Sequence, residues 1–113
     1  MSKLYLRFLR IARVLKANKK DMKDVDSTAM LLLNEIAIQH FDENPLTVSQ
    51  AMQLTAIASP ATIHRKLDEL REAGFIDLIF EGKNRRTKYL IPTKEANEYF
   101  EKMSDSMLKA VEY

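Results

Sequence analysis

Apolar side chains recur along this chain in two rhythms, one helical and one strand-like. From Lys3 to about Ala17, Leu4, Phe8, Ile11 and Leu15 fall at helical spacing, and Tyr5, Leu6, Leu9 and Val14 form a second apolar set on the same stretch. The period predicts a helix. One small domain rarely buries a helix that is apolar on two sides, so the second set predicts burial against another subunit. The competing reading is a helix threading its own core. Asn18 to Val25, rich in lysine and aspartate with little periodicity, reads as a flexible connection. Asp26 or Ser27 then caps a helix over STAMLLLNEIAIQHF, for which Met30, Leu33, Ala37 and Phe41 supply an inward stripe. Asp42 to Pro45 ends it. Thr47 opens a third, short helix with a capping box, because Gln50 stands three residues on and can reach back to the cap. Val48, Ala51, Met52 and Leu54 give that helix its apolar contacts.

The rest of the chain is organised around Ser59 to Thr93. Ser59 is a good N-cap, and Pro60 suits the first helical position, where no N–H is needed. Ile63, Leu67 and Leu70 then fall at i, i+4 and i+7 and must face inward. Ala61, Arg65, Asp68 and Glu72 take the opposite face, with Thr62 and His64 on its flanks. The first two turns carry Thr62, His64, Arg65 and Lys66 and no acid, whereas Asp68, Glu69 and Glu72 come later. A helix that enters a major groove by its N-terminal end needs this order, since bases and phosphates repel an acidic tip. Gly74 predicts a left-handed stop. Phe75 to Phe80 and Thr87 to Ile91 read as strands, and Lys83, Asn84, Arg85, Arg86 and Lys88 crowd the hairpin tip between them. Cations this close repel one another, and a phosphate backbone relieves the repulsion. A solvated basic loop that blunts a sheet edge is the competing reading. The short third helix, the turn Thr55 to Ala58 and the helix opened by Ser59 have the spacing of a helix-turn-helix, with Ser49 and Gln53 as phosphate neighbours.

Thr93 caps a last helix, Lys94 to about Ala110, whose apolar seam is Ala96, Tyr99, Phe100, Met103, Met107 and Val111. The two terminal helices carry opposite charge. Lys3, Arg7, Arg10, Arg13, Lys16, Lys19, Lys20 and Lys23 face Asp21 at one end, and Glu95, Glu98, Glu101, Asp105 and Glu112 outnumber Lys94, Lys102 and Lys109 at the other. Opposite signs favour packing of these helices, within or between chains. A second phosphate contact is the other use of the basic end.

At 113 residues the chain is one domain, and 46% hydrophobic with 30% charged residues is an ordinary globular balance. Within it, residues 1–17 read as an N-terminal helix for dimerisation, 26–92 as the helix-turn-helix with its hairpin, and 93–113 as a C-terminal helix for dimerisation. Net charge is only +2, so any case for nucleic acid rests on where the charge lies. The absence of cysteine excludes disulfides and thiol catalysis and fits a reducing cytoplasm. Arg7, Arg10 and Arg13 interrupt the apolar N-terminus, which argues against a secretion signal or a membrane span. No catalytic constellation, metal-ligand spacing or cofactor loop is present. His40 and His64 lie on different helices without acids at ligand spacing.

Ser59 to Thr93 resembles the DNA-binding core of the MarR family of winged-helix transcriptional regulators. The pattern is carried by Ser59, Thr62, Ile63 and Arg65 at the helix start and by Leu70, Gly74, Phe75 and Ile76 at its end. Asn84, Arg86 and Thr93 carry it through the wing. The resemblance implies a mainly α fold with a small β-hairpin, a winged helix-turn-helix flanked by N- and C-terminal helices that dimerise. It implies double-stranded DNA as partner, with Ser59, Pro60, Ala61, Thr62, His64, Arg65 and Lys66 at the major groove. Arg86 would reach a minor groove, helped by Lys83, Arg85 and Lys88. Asn84 stands where the family has an acid, so a neutral acceptor would orient Arg86. The turn before the helix lacks the family's glycine. Small aromatic acids are the effector class of such proteins, and Tyr5, Phe8, Tyr99 and Phe100 are the aromatic candidates, with plain packing as their other use. The chain is also shorter than usual for the family. Two other functions fit the same residues: a winged helix that docks an acidic protein, and a DNA-binding component of replication or plasmid maintenance.

Overall fold

Seven elements follow one another: α1 (Ser2–Asn18), α2 (Ser27–Phe41), α3 (Val48–Met52), α4 (Pro60–Glu72), β1 (Ile76–Phe80), β2 (Lys88–Pro92) and α5 (Lys94–Glu112). The structure is a computed structural model that describes residues 2–18 and 25–112, with 15–18 as backbone. Most of the connection expected over Asn18 to Val25 lies outside the described residues.

The core gathers on α2, which packs against α4 and β2. Leu32, Leu33 and Ile36 of α2, Ile63 and Leu70 of α4, and Leu90 of β2 are fully buried. Each such side chain stabilises the fold by about 1.5–3 kcal/mol. The inward face of α2 differs from the expected stripe. Ala29, Leu32, Leu33 and Ile36 are buried, while Phe41 is 86% exposed and Met30 and Ala37 are only half-buried. Apolar residues surround this helix on almost every side, so spacing alone cannot set its rotation; contact with α4 and β2 sets it. The seam of α5 also turns relative to expectation. Ala96 and Tyr99 are buried as expected, but Ser106 and Ala110 are buried in place of Met107 and Val111. The cause is α1, which lies along α5. Small residues on both helices, Ala12 as well as Ser106 and Ala110, are the buried ones there, and they let the helices approach closely. The Ser106 hydroxyl is satisfied by donating to the Lys102 carbonyl at 2.9 Å.

β1 and β2 form an antiparallel hairpin in the register Ile76↔Pro92, Leu78↔Leu90 and Phe80↔Lys88. The outer edge of β2 is used as well, because the Leu90 N–H donates to the Leu46 carbonyl at 2.7 Å. Phe75 falls outside β1 because its N–H belongs to the end of α4.

That end is a Schellman motif. Gly74 takes φ +85°, its N–H donates to the Arg71 carbonyl at 3.0 Å, and the Phe75 N–H donates to the Leu70 carbonyl at 3.0 Å. Thr93 locks the motif from the far side of the hairpin. Its hydroxyl donates to the Gly74 carbonyl at 2.6 Å and accepts from Ala96 N–H at 3.3 Å, which starts α5, and its own N–H donates to the Phe75 carbonyl at 3.0 Å. Substituting Gly74→Ala is expected to cost about 1 kcal/mol through backbone strain, since nothing lies within 4 Å of where a Cβ would stand. Thr93→Val removes a hydrogen bond and a cap together and is expected to cost about 1–2 kcal/mol. Urea midpoints at unchanged slope check both values.

Candidate nucleic-acid interface

The start of α4 is built by local bonds. Ser59 is the N-cap, its hydroxyl accepting from Thr62 N–H at 3.3 Å and donating to the Thr62 hydroxyl at 3.0 Å, and Pro60 occupies the first turn. No acid lies in that turn. Ile63, Leu67 and Leu70 are buried against the core, which turns Pro60, Ala61, His64 and Arg65 outward. α3 packs on α4 and is held by the capping box expected from its sequence: Gln50 N–H donates to the Thr47 hydroxyl at 3.1 Å, and Thr47 N–H donates to the Gln50 side chain at 2.9 Å. Ser49 and Gln53 are exposed. The positive end of the helix dipole and an exposed guanidinium thus lie where the sequence places no carboxylate, a combination suited to phosphate or base edges.

Lys66 does not join that surface. Its ammonium lies 2.6 Å from Asp26 Oδ2 and 3.1 Å from Glu69 Oε2, with the side chain 13% exposed. Lys66 points back toward the start of α2, and two carboxylates take up its charge. The same contacts appear in the protonation of the group. The hydrogen bonds it donates to Asp26 and then to Glu69 raise the Lys66 ammonium above its ordinary pKa, and the hydrogen bond accepted from Lys66, followed by that from Ala29 N–H, lowers the Asp26 carboxyl. Asp26 also caps α2, accepting from Ala29 N–H at 2.8 Å. Sequence reading missed this partnership because Asp26 lies far from Lys66 along the chain.

The hairpin tip is ordered by its own backbone. Gly82 takes φ +55° and Asn84 N–H donates to the Glu81 carbonyl at 3.1 Å, closing a tight turn. Asn84 Oδ1 then accepts from Arg86 N–H at 2.9 Å. The side chain that was expected to orient the Arg86 guanidinium therefore orients the Arg86 backbone. Lys83, Asn84, Arg85, Arg86 and Lys88 are all exposed. Beneath them, Arg85 and Lys88 both approach the Phe80 ring, a contact that reading the sequence for charge alone overlooks. The register Phe80↔Lys88, counted back from the Gly82 turn, is the signal that could have revealed it.

The hairpin rises beside α4. His64, Asp68 and Arg71 on one flank of the helix share a small pocket with Asp77 and Leu78 of β1, and His64 Nδ1 lies 3.6 Å from Asp68 Oδ2. Among the described residues no cluster of histidine and acidic side chains is arranged to hold a metal ion, and no helix is long and apolar enough to cross a membrane.

No protein-family model and no curated protein sequence matches the chain. Solved structures do. The chain is similar to the transcriptional regulator Tm0710 from Thermotoga maritima, with a TM-score of 0.64 at 15% identity over 96% of this chain and 68% of that one. It is similar to the MarR-like transcriptional regulator Tm0816 from the same organism, with a TM-score of 0.68 at 17% identity over 96% and 72%. Rv1404 from Mycobacterium tuberculosis gives a TM-score of 0.64 at 16% identity over 91% and 65%. The chain therefore has the winged-helix fold of these proteins.

The Asp26–Lys66 contact makes a pH-dependent contribution to stability. A depressed carboxyl contributes fully above its unfolded pKa, and the contribution fades as pH falls through the folded value. The stability advantage of the wild type over Asp26→Asn is thus expected to be constant near neutrality and to shrink below the ordinary aspartate range. On the alkaline side, the raised ammonium keeps its contribution up to the ordinary lysine range and loses it as pH rises through the folded value. Thermal melts of both proteins across pH check the two limbs.

Proposed function

We propose that this winged-helix chain is a double-stranded DNA-binding transcriptional regulator of the MarR type, cytoplasmic, acting as a homodimer on a palindromic site. The observation that carries the reading is the pairing of an exposed, acid-free helix start at Ser59–Arg65 with an adjoining hairpin whose tip holds Lys83, Arg85, Arg86 and Lys88. In this reading α4 enters the major groove. Arg65, with Thr62 and His64, contacts base edges or phosphates, while Pro60 and Ala61 permit close approach. The wing follows the backbone into the adjacent minor groove, with Arg86 at its tip.

Two features of the arm formed by α1 and α5 support pairing of two copies. Tyr5, Leu6, Leu9 and Val14 on α1, and Met107, Leu108 and Val111 on α5, remain exposed although the helices already pack on each other. Apolar residues at this density are a surface that a partner covers. The basic residues of α1 and the acidic residues of α5 are complementary in sign, so a second copy can satisfy both. A two-fold dimer sets its two recognition helices about 34 Å apart, one turn of duplex. The cleft lined by Phe8, Met30, Tyr99, Phe100, Met103 and Met107 between the arm and α2 is the place this reading gives a small-molecule effector.

Arg65→Ala is expected to cost on the order of 1–3 kcal/mol on the preferred duplex and to relax its sequence preference, whereas Lys83→Ala weakens all duplexes alike. Titrations on a selected and a scrambled duplex distinguish these outcomes, and equal losses for both variants on both duplexes would overturn the assignment. Leu9→Glu or Leu108→Glu is expected to shift the protein to monomer in sedimentation and to weaken a palindromic site far more than a single half-site. A wild type that sediments as a monomer at all concentrations would remove the dimer from the proposal.

A further inference from the structure

The tip of the hairpin poses an electrostatic problem that its turn does not solve. Arg85 and Lys88 carry like charges three positions apart, their side chains are long, and both are exposed. Left to themselves they would separate and sample many rotamers, and each would have to be ordered on meeting a ligand. The structure brings both to one aromatic ring. The Arg85 guanidinium carbon lies 5.5 Å from the centroid of Phe80, and the Lys88 ammonium lies 5.4 Å from the same centroid. Phe80 is the last residue of β1 and stands directly across the ladder from Lys88. Its position is therefore set by the sheet and not by the tip.

A ring face attracts a cation through its quadrupole but takes none of its hydrogen bonds. A guanidinium resting on a ring keeps its N–H edge free, and an ammonium keeps N–H donors pointing away from it. One ring can thus gather two cations, offset their mutual repulsion and leave both able to donate to phosphate oxygens.

Resting on the DNA reading above, we propose that Phe80 is a positioning residue of the wing, whose ring holds Arg85 and Lys88 ready for the phosphate backbone of duplex DNA. Ordering these side chains before contact lowers the entropy lost on binding. The effect is independent of base sequence because it acts through phosphate contacts.

The test uses the full chain and a mixed-sequence B-form duplex, with four variants: Phe80→Leu, Phe80→Tyr, the double variant Arg85→Ala/Lys88→Ala, and the triple variant that adds Phe80→Leu to it. Phe80→Leu is expected to weaken binding roughly fivefold and Phe80→Tyr to restore it. The salt slope should be kept in Phe80→Leu, where both charges remain, and should fall by about 2 in the double variant. The informative comparison is the cycle. If the ring acts through these two cations, adding Phe80→Leu to the double variant changes nothing further; a loss that persists there means that Phe80 only supports the hairpin, and overturns the proposal. An NMR readout on free wild-type protein needs no variant to fold. Ring-current shifts on the Arg85 and Lys88 side-chain methylene protons are expected, and random-coil positions for both would overturn the proposal. If wild-type protein binds no duplex at low salt, the DNA reading falls and takes this inference with it. If the wild type binds and Phe80→Leu binds equally well, this inference alone fails.

Discussion

The end of α4, the base of the hairpin and the start of α5 are joined at one hydrogen bond, from the Thr93 hydroxyl to the Gly74 carbonyl. Gly74 is where α4 stops, and Thr93 is where β2 hands over to α5. Because the same hydroxyl also accepts from Ala96 N–H, one side chain ties the end of α4, the base of the hairpin and the start of the long C-terminal helix. Geometry at this point propagates. The left-handed turn at Gly74 sets the direction in which β1 leaves α4, and hence the side of the helix on which the wing stands. The Schellman bonds satisfy the Leu70 and Arg71 carbonyls and Thr93 satisfies that of Gly74, so the joint is directional.

Charge on this molecule is decided by pairing and not by sum. The chain carries a net charge of only +2, too little to draw it to a polyanion by itself. Neighbouring cations on α4 have opposite fates. Arg65 points outward from the face opposite Ile63 and Leu67, while Lys66, one residue on, turns back to Asp26 and Glu69. A rotation of about 100° per residue separates a group available to a ligand from one spent on holding two helices together. At the wing, Arg85 and Lys88 meet an aromatic face instead.

Local chemistry was the legible part of this sequence. The caps at Thr47 and Ser59, the stop at Gly74, the inward triad Ile63, Leu67 and Leu70, and the hairpin with its cationic tip all follow from residues close together in the chain, and all stand where the pattern put them to within a residue. Long-range packing was not legible in the same way. α2 is apolar on nearly every side, so its rotation waits on α4 and β2, and the seam of α5 turns toward Ser106 and Ala110 because α1 covers it. The candidate site divides along the same line. The exposure of Pro60, Ala61, His64, Arg65 and the wing cations follows from local pattern, but the capture of Lys66 by Asp26 depends on a fold that brings two distant segments together. Phe80 was hidden for another reason: an aromatic at the end of a strand ordinarily signals packing, and only the cross-strand register gives it charged neighbours.

The tip between β1 and β2 makes its own bonds, from Asn84 N–H to the Glu81 carbonyl and from Arg86 N–H to Asn84 Oδ1, and it contributes nothing to the buried core. Segments of this kind can drift in sequence without unfolding what carries them. In such a scaffold the tip is an exchangeable cartridge: mutation can rewrite its side chains while the socket below it stays fixed, so the tip and the stability of the fold are free to evolve at different speeds.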